Sequence, residues 1–118
     1  MKILVVDDED IIRTLLRRVL TKEGYKVLCV SDGWEAIECI KHKKLDLVLL
    51  DFKMPEIDGI QTLEKIRDID KNIPVILISA YLTNETAKKA TKLRIFNYIR
   101  KPFDLDELKL EVKKAFFA

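Results

Sequence analysis

Glycine is scarce in this chain of 118 residues: only Gly24, Gly33 and Gly59 occur, each near a helix or turn boundary of the apolar pattern. That scarcity rules out a G-x-G-x-x-G turn and a G-x-x-x-x-G-K phosphate loop, and with them nucleotide binding by either device. Histidine occurs once, at His42 among Lys41, Lys43 and Lys44, where it reads as a solvated loop residue. The two cysteines, Cys29 and Cys39, lie in a strand-like run and on a helical pattern, without C-x-x-C spacing. They read as buried reduced thiols, not as a disulfide or a metal site. No apolar run approaches the roughly 18 residues that span a membrane, and no signal-peptide pattern opens the chain, so the expected compartment is the cytoplasm. Net charge is also low: 22 basic against 20 acidic side chains leave +2, which gives no reason to expect nucleic-acid binding. The first 60 residues are slightly acidic and residues 81 to 118 basic. Solvated helix faces account for that asymmetry, and a basic face for an acidic partner is the sharper alternative.

What is present is a core. Apolar residues make up 48% of a chain close to the usual size of one domain, so a single domain over 1–118 is expected. Charged residues reach 36%, and the Lys and Glu usage is a weak thermophile signal. Short β-branched runs near 2–6, 26–30, 46–50, 74–78 and 96–100 read as strands buried on both faces. Between them the period is helical. Ile12, Leu15, Leu16, Val19 and Leu20 form one stripe, Ala36, Ile37 and Ile40 a second, and Ile60, Leu63 and Ile66 a third. The segment 84–93 is the least marked, offering mostly alanine to a core. The last helix carries Leu105, Leu108, Val112 and Phe116 and opens at Asp104, with Glu107 three residues on in capping-box spacing. Five strands alternating with five helices through short loops imply right-handed βαβ crossovers and an α/β fold, a parallel sheet covered on both sides.

Polar residues sit where the strand-like runs end. Asp7 and Asp8 follow Ile3-Leu4-Val5-Val6, Asp51 follows Leu47-Val48-Leu49-Leu50, Ser79 follows Val75-Ile76-Leu77-Ile78, and Lys101 follows Asn97-Tyr98-Ile99-Arg100. Open parallel sheets bind ligands just beyond the carboxyl ends of their strands. If the runs are neighbours, three carboxylates, a hydroxyl and an ammonium converge, a set able to hold a divalent cation and a phosphoryl group. Each residue has a plainer reading beside this one. A lone Asp at a strand end is usually a helix cap, Ser79 can cap a turn, and Lys101 before Pro102 can be a surface lysine. Asp58 reads as a turn former, Trp34 as a packing residue at the start of its helix, and Tyr98 as core.

Val5-Val6-Asp7-Asp8-Glu9, Leu49-Leu50-Asp51-Phe52-Lys53-Met54-Pro55-Glu56-Ile57-Asp58-Gly59, Ser79-Ala80-Tyr81 and Lys101-Pro102-Phe103 together resemble the receiver domain of two-component response regulators, over essentially the whole chain. The resemblance implies a flavodoxin-like, doubly wound sheet of order 2-1-3-4-5, an order that flavodoxin and the chemotaxis receiver share. It implies that Asp51 is the phosphoacceptor, a carboxylate nucleophile that takes a phosphoryl group from a histidine kinase or histidine phosphotransfer protein. Asp7 and Asp8 then hold Mg²⁺, Asp8 directly and Asp7 mainly through water, with Asp51 and the main-chain carbonyl of Lys53 completing the protein ligands. Lys101 and Ser79 contact the phosphoryl oxygens, a typically cis Lys101-Pro102 bond aiming the ammonium inward. Tyr98 and Ser79 form the switch that remodels a partner face built by helix 4, strand 5 and helix 5. Lys53 and Tyr81 flank the pocket and limit water access, which slows dephosphorylation. Beyond that self-catalysed chemistry no enzyme activity is implied.

Charge counting agrees with a metal. Three ionised carboxylates carry −3, and like unit charges 4 Å apart repel by about 4 kcal/mol at an effective dielectric near 20. Mg²⁺ with Lys101 supplies +3, and Mg²⁺ suits oxygen ligands. Two other readings compete with this one. Aspartyl-nucleophile phosphatases place a second Asp two residues after the nucleophile, where this chain has Lys53, and carry a cap domain for which 118 residues leave no room. A receiver-like interaction module that is never phosphorylated typically lacks some of the set kept here. Because the sequence stops just after the last helix, either a stand-alone regulator, similar to phosphorelay intermediates, or an excised receiver is expected. One departure from the family stands out: Arg94-Ile95 occupies the stretch where receivers usually carry Gly-Ala, and a bulky side chain disfavours the φ > 0 geometry that glycine permits.

Overall fold

The computed structural model describes residues 1–80 and 82–117. The elements alternate as expected: β1 (Lys2–Val6), α1 (Asp10–Lys22), β2 (Lys26–Val30), α2 (Gly33–His42), β3 (Leu47–Asp51), α3 (Gly59–Ile69), β4 (Val75–Ser79), α4 (Asn84–Lys92), β5 (Asn97–Arg100) and α5 (Leu105–Phe117). All four strand pairings are parallel and the order is β2-β1-β3-β4-β5. Every residue of β3 and β4 is buried, as is usual for central parallel strands with helices on both faces.

The period-2 alternation of the strands divides the core into two layers. Leu4, Val6, Val48, Leu50, Val75 and Leu77 point to one face, where Ala36, Ile40, Ile60, Leu63, Ile66 and Ala90 of α2, α3 and α4 cover them. Ile3, Val5, Leu47, Leu49, Ile76 and Ile78 point to the other, under Leu16 and Leu20 of α1 and Leu108 and Val112 of α5. Each such side chain taken from water to full burial contributes about 1.5–3 kcal/mol, so the stripes read from sequence are what hold the helices in place.

Helix ends are set by local hydrogen bonds. Asp32 caps α2 and Thr83 caps α4 through their side chains. The reciprocal capping box lies at α3, between Asp58 and Gln61, where the sequence had suggested only a turn former. At α5 the Asp104 carboxylate accepts from the Asp106 and Glu107 amides, the Asp half of the expected box. Trp34 lies half exposed, with the Lys65 ammonium 5.5 Å from its ring centre, so it is a surface contact between α2 and α3 more than a core residue. His42 ends α2 in solvent, near Glu38. Cys29 and Cys39 are free and half-buried.

The Arg94-Ile95 stretch keeps the geometry that glycine usually supplies. Arg94 has φ 59°; its amide donates to the Thr91 carbonyl at 3.0 Å and that of Ile95 to Ala90 at 3.3 Å, a Schellman closure of α4. Arg67 of α3 underlies it. This guanidinium is 7% exposed and donates to the main-chain carbonyls of Leu93, Asp70, Ile73 and Arg94, gathering the ends of α3 and α4 around one cation. A non-glycine residue in the left-handed region costs about 1 kcal/mol, and Arg94 adds a like charge near Arg67. Arg94→Gly is therefore expected to stabilise the fold, by about 0.5 kcal/mol once the greater freedom of glycine in the unfolded chain is counted. A denaturant midpoint at or below that of wild type would refute it.

Candidate functional site

Four strand ends build one cleft at the carboxyl edge of the sheet. Val6 pairs with Leu50, Asp51 with Ile78 and Ser79 with Arg100, so Asp7, Asp51, Ser79 and Lys101 arrive at nearly one level across four adjacent strands. Strands β3 and β5 are two spacings apart, about 10 Å, a gap that the long lysine stem bridges. Lys101 Nζ lies 3.2 Å from Asp7 Oδ2, 3.2 Å from Asp51 Oδ1 and 3.6 Å from Glu9 Oε1. The Lys101-Pro102 peptide is cis. Asp7 and Asp51 are 1% and 4% exposed, whereas Asp8 faces solvent.

The local sequence explains each placement. Asp7 is fixed on all sides: its amide donates to Val30 O, Oδ1 accepts from the Glu9 amide at 2.9 Å, and Oδ2 receives Lys101. At the end of β3 the chain turns back on itself. The Gly59 amide donates to Phe52 O at 2.7 Å, and a Cβ on Gly59 would stand 2.7 Å from Phe52 Cα and 2.9 Å from Asp51 O. Glycine is what lets α3 begin against the acceptor strand. Glu56 in the same turn has φ 68°. Ser79 is buried at 4% exposure, and its carbonyl accepts from the Lys101 amide.

Electrostatics follow burial. The Asp51 carboxyl is pushed up to about 6, first by loss of water and then by the Asp7 charge, with Lys101 pulling the other way. Burial would depress the Lys101 ammonium, but Asp51 and Asp7 outweigh it and hold it above the usual lysine range. One oxygen from each of Asp7, Asp8 and Asp51 lies within 4.8 Å of the others. Three convergent oxygen donors, one of them open to solvent, suit a hard cation that keeps part of its water shell, as Mg²⁺ does. Around them is a cleft of roughly 580 Å³, lined among others by Asp8, Asp51, Lys53, Ser79 and Lys101.

The structure thus brings Asp7, Asp8, Asp51, Lys53, Ser79 and Lys101 to one cleft. Tyr98 stands apart on the edge strand, 39% exposed, a surface residue and not a core one. The expectation for Tyr81 falls outside the described residues. Glu9, within reach of Lys101, was missed as an individual; its signal was the unbroken acidic run Asp7-Asp8-Glu9.

Known proteins share both this sequence pattern and this fold. The model of the response regulator receiver domain matches residues 3–113. Sporulation initiation phosphotransferase F of Bacillus subtilis is 42% identical over 113 residues, 96% of this chain and 91% of its own length. Regulatory protein AtoC of Escherichia coli is also 42% identical, over 97% of this chain, but this chain spans only 25% of AtoC. Among solved structures, a CheY-like receiver domain protein from Methanospirillum hungatei superposes with a TM-score of 0.93 at 27% identity, covering 96% of this chain and 90% of that one. Response regulator TrrA from Thermotoga maritima, solved in complex with Mg²⁺-BeF, gives 0.86 at 38% identity, covering 97% of each chain. Sequence, strand order and strand-end chemistry therefore converge, and the chain belongs to the family of response regulator receiver domains, the phosphorylatable modules of two-component signalling.

Proposed function

We propose that Asp51 accepts a phosphoryl group from the phosphohistidine of a histidine kinase or phosphotransfer protein, and that Asp7, Asp8 and the Lys53 carbonyl hold the accompanying Mg²⁺ with it. The observation that carries this reading is the Lys101 ammonium seated between the buried Asp7 and Asp51 carboxylates at 3.2 Å from each. With its carboxyl near 6, Asp51 is ionised at neutral pH and able to act as a nucleophile. Its oxygen attacks phosphorus as the bond to the histidine nitrogen breaks; the electron pair of that bond stays on the imidazole, and an acyl phosphate forms. Lys101 and Ser79 then hold phosphoryl oxygens. Mg²⁺, when bound, offsets the charge that develops on the transferring group. No other catalytic group is needed, and slow self-dephosphorylation, with Lys53 screening water, is the only further chemistry.

Phosphorylation replaces the single carboxylate charge of Asp51 with about −2 on the phosphoryl group, a net gain of about −1, and brings three strong acceptor oxygens beside Lys101 and Ser79. Reorientation of Ser79, followed by Tyr98, transmits this to a protein-binding face on α4, β5 and α5 by population shift. The exposed Tyr98 ring has room to change position. Nucleic acid and membrane play no part in this reading; among the described residues no helix is long and apolar enough to cross a bilayer. Free thiols at Cys29 and Cys39 suit a cytoplasmic setting.

A small phosphodonor with Mg²⁺ should add a single phosphoryl mass, mapped to Asp51. Tyr98→Ala should leave that labelling intact, because no phosphoryl contact is lost, yet abolish most of the phosphorylation-dependent amide shifts over residues 82 to 116. Shifts confined to the neighbourhood of Asp51 in wild type would show that this switch is not in use.

A further inference from the structure

Only three residues, Asp7, Asp8 and Glu9, separate β1 from α1, and no side-chain hydrogen bond caps the helix at its N-cap Glu9. The brace comes from further along. Arg13 Nη1 donates to the Asp7 main-chain carbonyl at 2.6 Å, and Nη2 of the same guanidinium pairs with the Asp10 carboxylate. Its side chain is 19% exposed, against 90% for Asp10. The carbonyl that Arg13 grips belongs to the Asp7-Asp8 peptide, so the plane of that peptide, and with it the direction in which Asp8 leaves the chain, is fixed by a side chain one helical turn away. Asp7 has independent anchors in Val30 O, the Glu9 amide and Lys101. For Asp8, no hydrogen bond of its carboxylate is seen among the described residues.

We infer that Arg13 is a positioning residue for the cation site: it aims Asp8, through the Asp7-Asp8 peptide, at the point where the Asp7 and Asp51 carboxylates converge. The inference rests on the Mg²⁺ reading above. A guanidinium suits this task because its planar fork bonds two acceptors at once and keeps its charge at every accessible pH. The exposed pair with Asp10 contributes little, and the hold on the Asp7 carbonyl does not depend on it.

The sign of the effect separates positioning from charge. Arg13→Met keeps most of the alkyl stem and removes one positive charge near the acids. If Arg13 acted only through its charge, Mg²⁺ would bind more tightly to the variant. If it aims Asp8, binding weakens, and outer contacts of metal sites typically contribute 10–100-fold. With Mg²⁺ alone as the probe, titrations followed by amide shifts of the intact chain are expected to show Kd raised about tenfold in Arg13→Met, with the metal-free melting temperature close to wild type. Arg13→Gln, too short to reach the Asp7 carbonyl, carries the same expectation and decides the matter should the Met variant not fold. Unchanged or tighter Mg²⁺ binding in the folded variant overturns the inference, as does a loss of affinity matched by loss of the metal-free fold. Asp8→Ala, titrated in parallel, keeps the two readings apart: if it too binds Mg²⁺ like wild type, the metal site itself is wrong, and if it alone loses Mg²⁺, only the role of Arg13 falls.

Discussion

Asp51→Asn is expected to take up no phosphoryl group from a small phosphodonor and Mg²⁺, and at the same time to melt at a higher temperature than wild type when metal is absent. The first effect is chemical. An amide nitrogen or oxygen is a poor nucleophile toward phosphorus, and the second-nearest carboxylate, Asp7, is 1% exposed and bound at both oxygens. The second effect comes from the same burial that makes Asp51 a receptor. Its carboxyl titrates near 6 in the folded chain, against an ordinary value of 3.8, so above that range the folded state carries a charge it disfavours. Because the folded chain binds the proton more tightly than the unfolded chain, this contribution to stability is complete below pH 4 and is lost as pH rises through 6. Two pH units correspond to about 2–3 kcal/mol, an upper bound because Asn also gives up the ion pair with Lys101, which retains Asp7 and Glu9. The stability difference between variant and wild type, measured by denaturant unfolding without metal, should therefore grow between pH 4 and 6 and then level off. Saturating Mg²⁺ should narrow it, since a cation that binds only the folded chain stabilises wild type more. Labelling of Asp51→Asn at the wild-type level would remove Asp51 as acceptor.

Asp8→Ala is expected to weaken Mg²⁺ binding by about a hundredfold, close to 3 kcal/mol. The two buried carboxylates of the cluster are already engaged by Lys101, so Asp8 is, among the described residues, the donor without a cationic competitor and the one that faces entering solvent. Removing it leaves a site of −2, half-neutralised by the ammonium. Asp10→Ala is the matched control: two residues on, equally acidic and 90% exposed, it should leave the affinity within about twofold, because its pairing with Arg13 is a surface one. Calorimetric titration of both variants measures this, and equal affinities would mean that the cation, if bound, sits elsewhere.

Most of the site was legible because the chemistry-bearing residues mark the ends of apolar runs, and a parallel sheet aligns such ends. The strand order came from family resemblance; periodicity alone leaves the neighbours of β1 and β3 undetermined. Limits shifted by a residue where alternation carries no information: Asp51 and Ser79 are the last residues of β3 and β4, not the first beyond them, because their backbones still pair with Ile78 and Arg100. A reciprocal capping box formed at Asp58, where the sequence offered only a turn former, since S/T/D-x-x-E/Q spacing fits both Asp58 and Asp104 and only tertiary packing fixes where a helix can start. Arg67 and Arg13 were invisible for a different reason. Both act on main-chain carbonyls, and a carbonyl has no letter in the sequence. Arg94 shows the converse, a residue whose side chain argued against the conformation that its hydrogen bonds impose.

The two apolar layers on either side of β3 and β4 have a consequence for how the molecule exchanges its amide hydrogens. Protons in strands sealed above and below are released only when the whole domain opens, so those strands report global stability, while the solvent-facing edge residues of β5 and the first turn of α4 exchange through small local openings. Asp51 and Ser79 are the final residues of those sealed strands. Asp51 is thus anchored in the part of the protein expected to open last, while the edge of β5 and the first turn of α4 can rearrange without unfolding it.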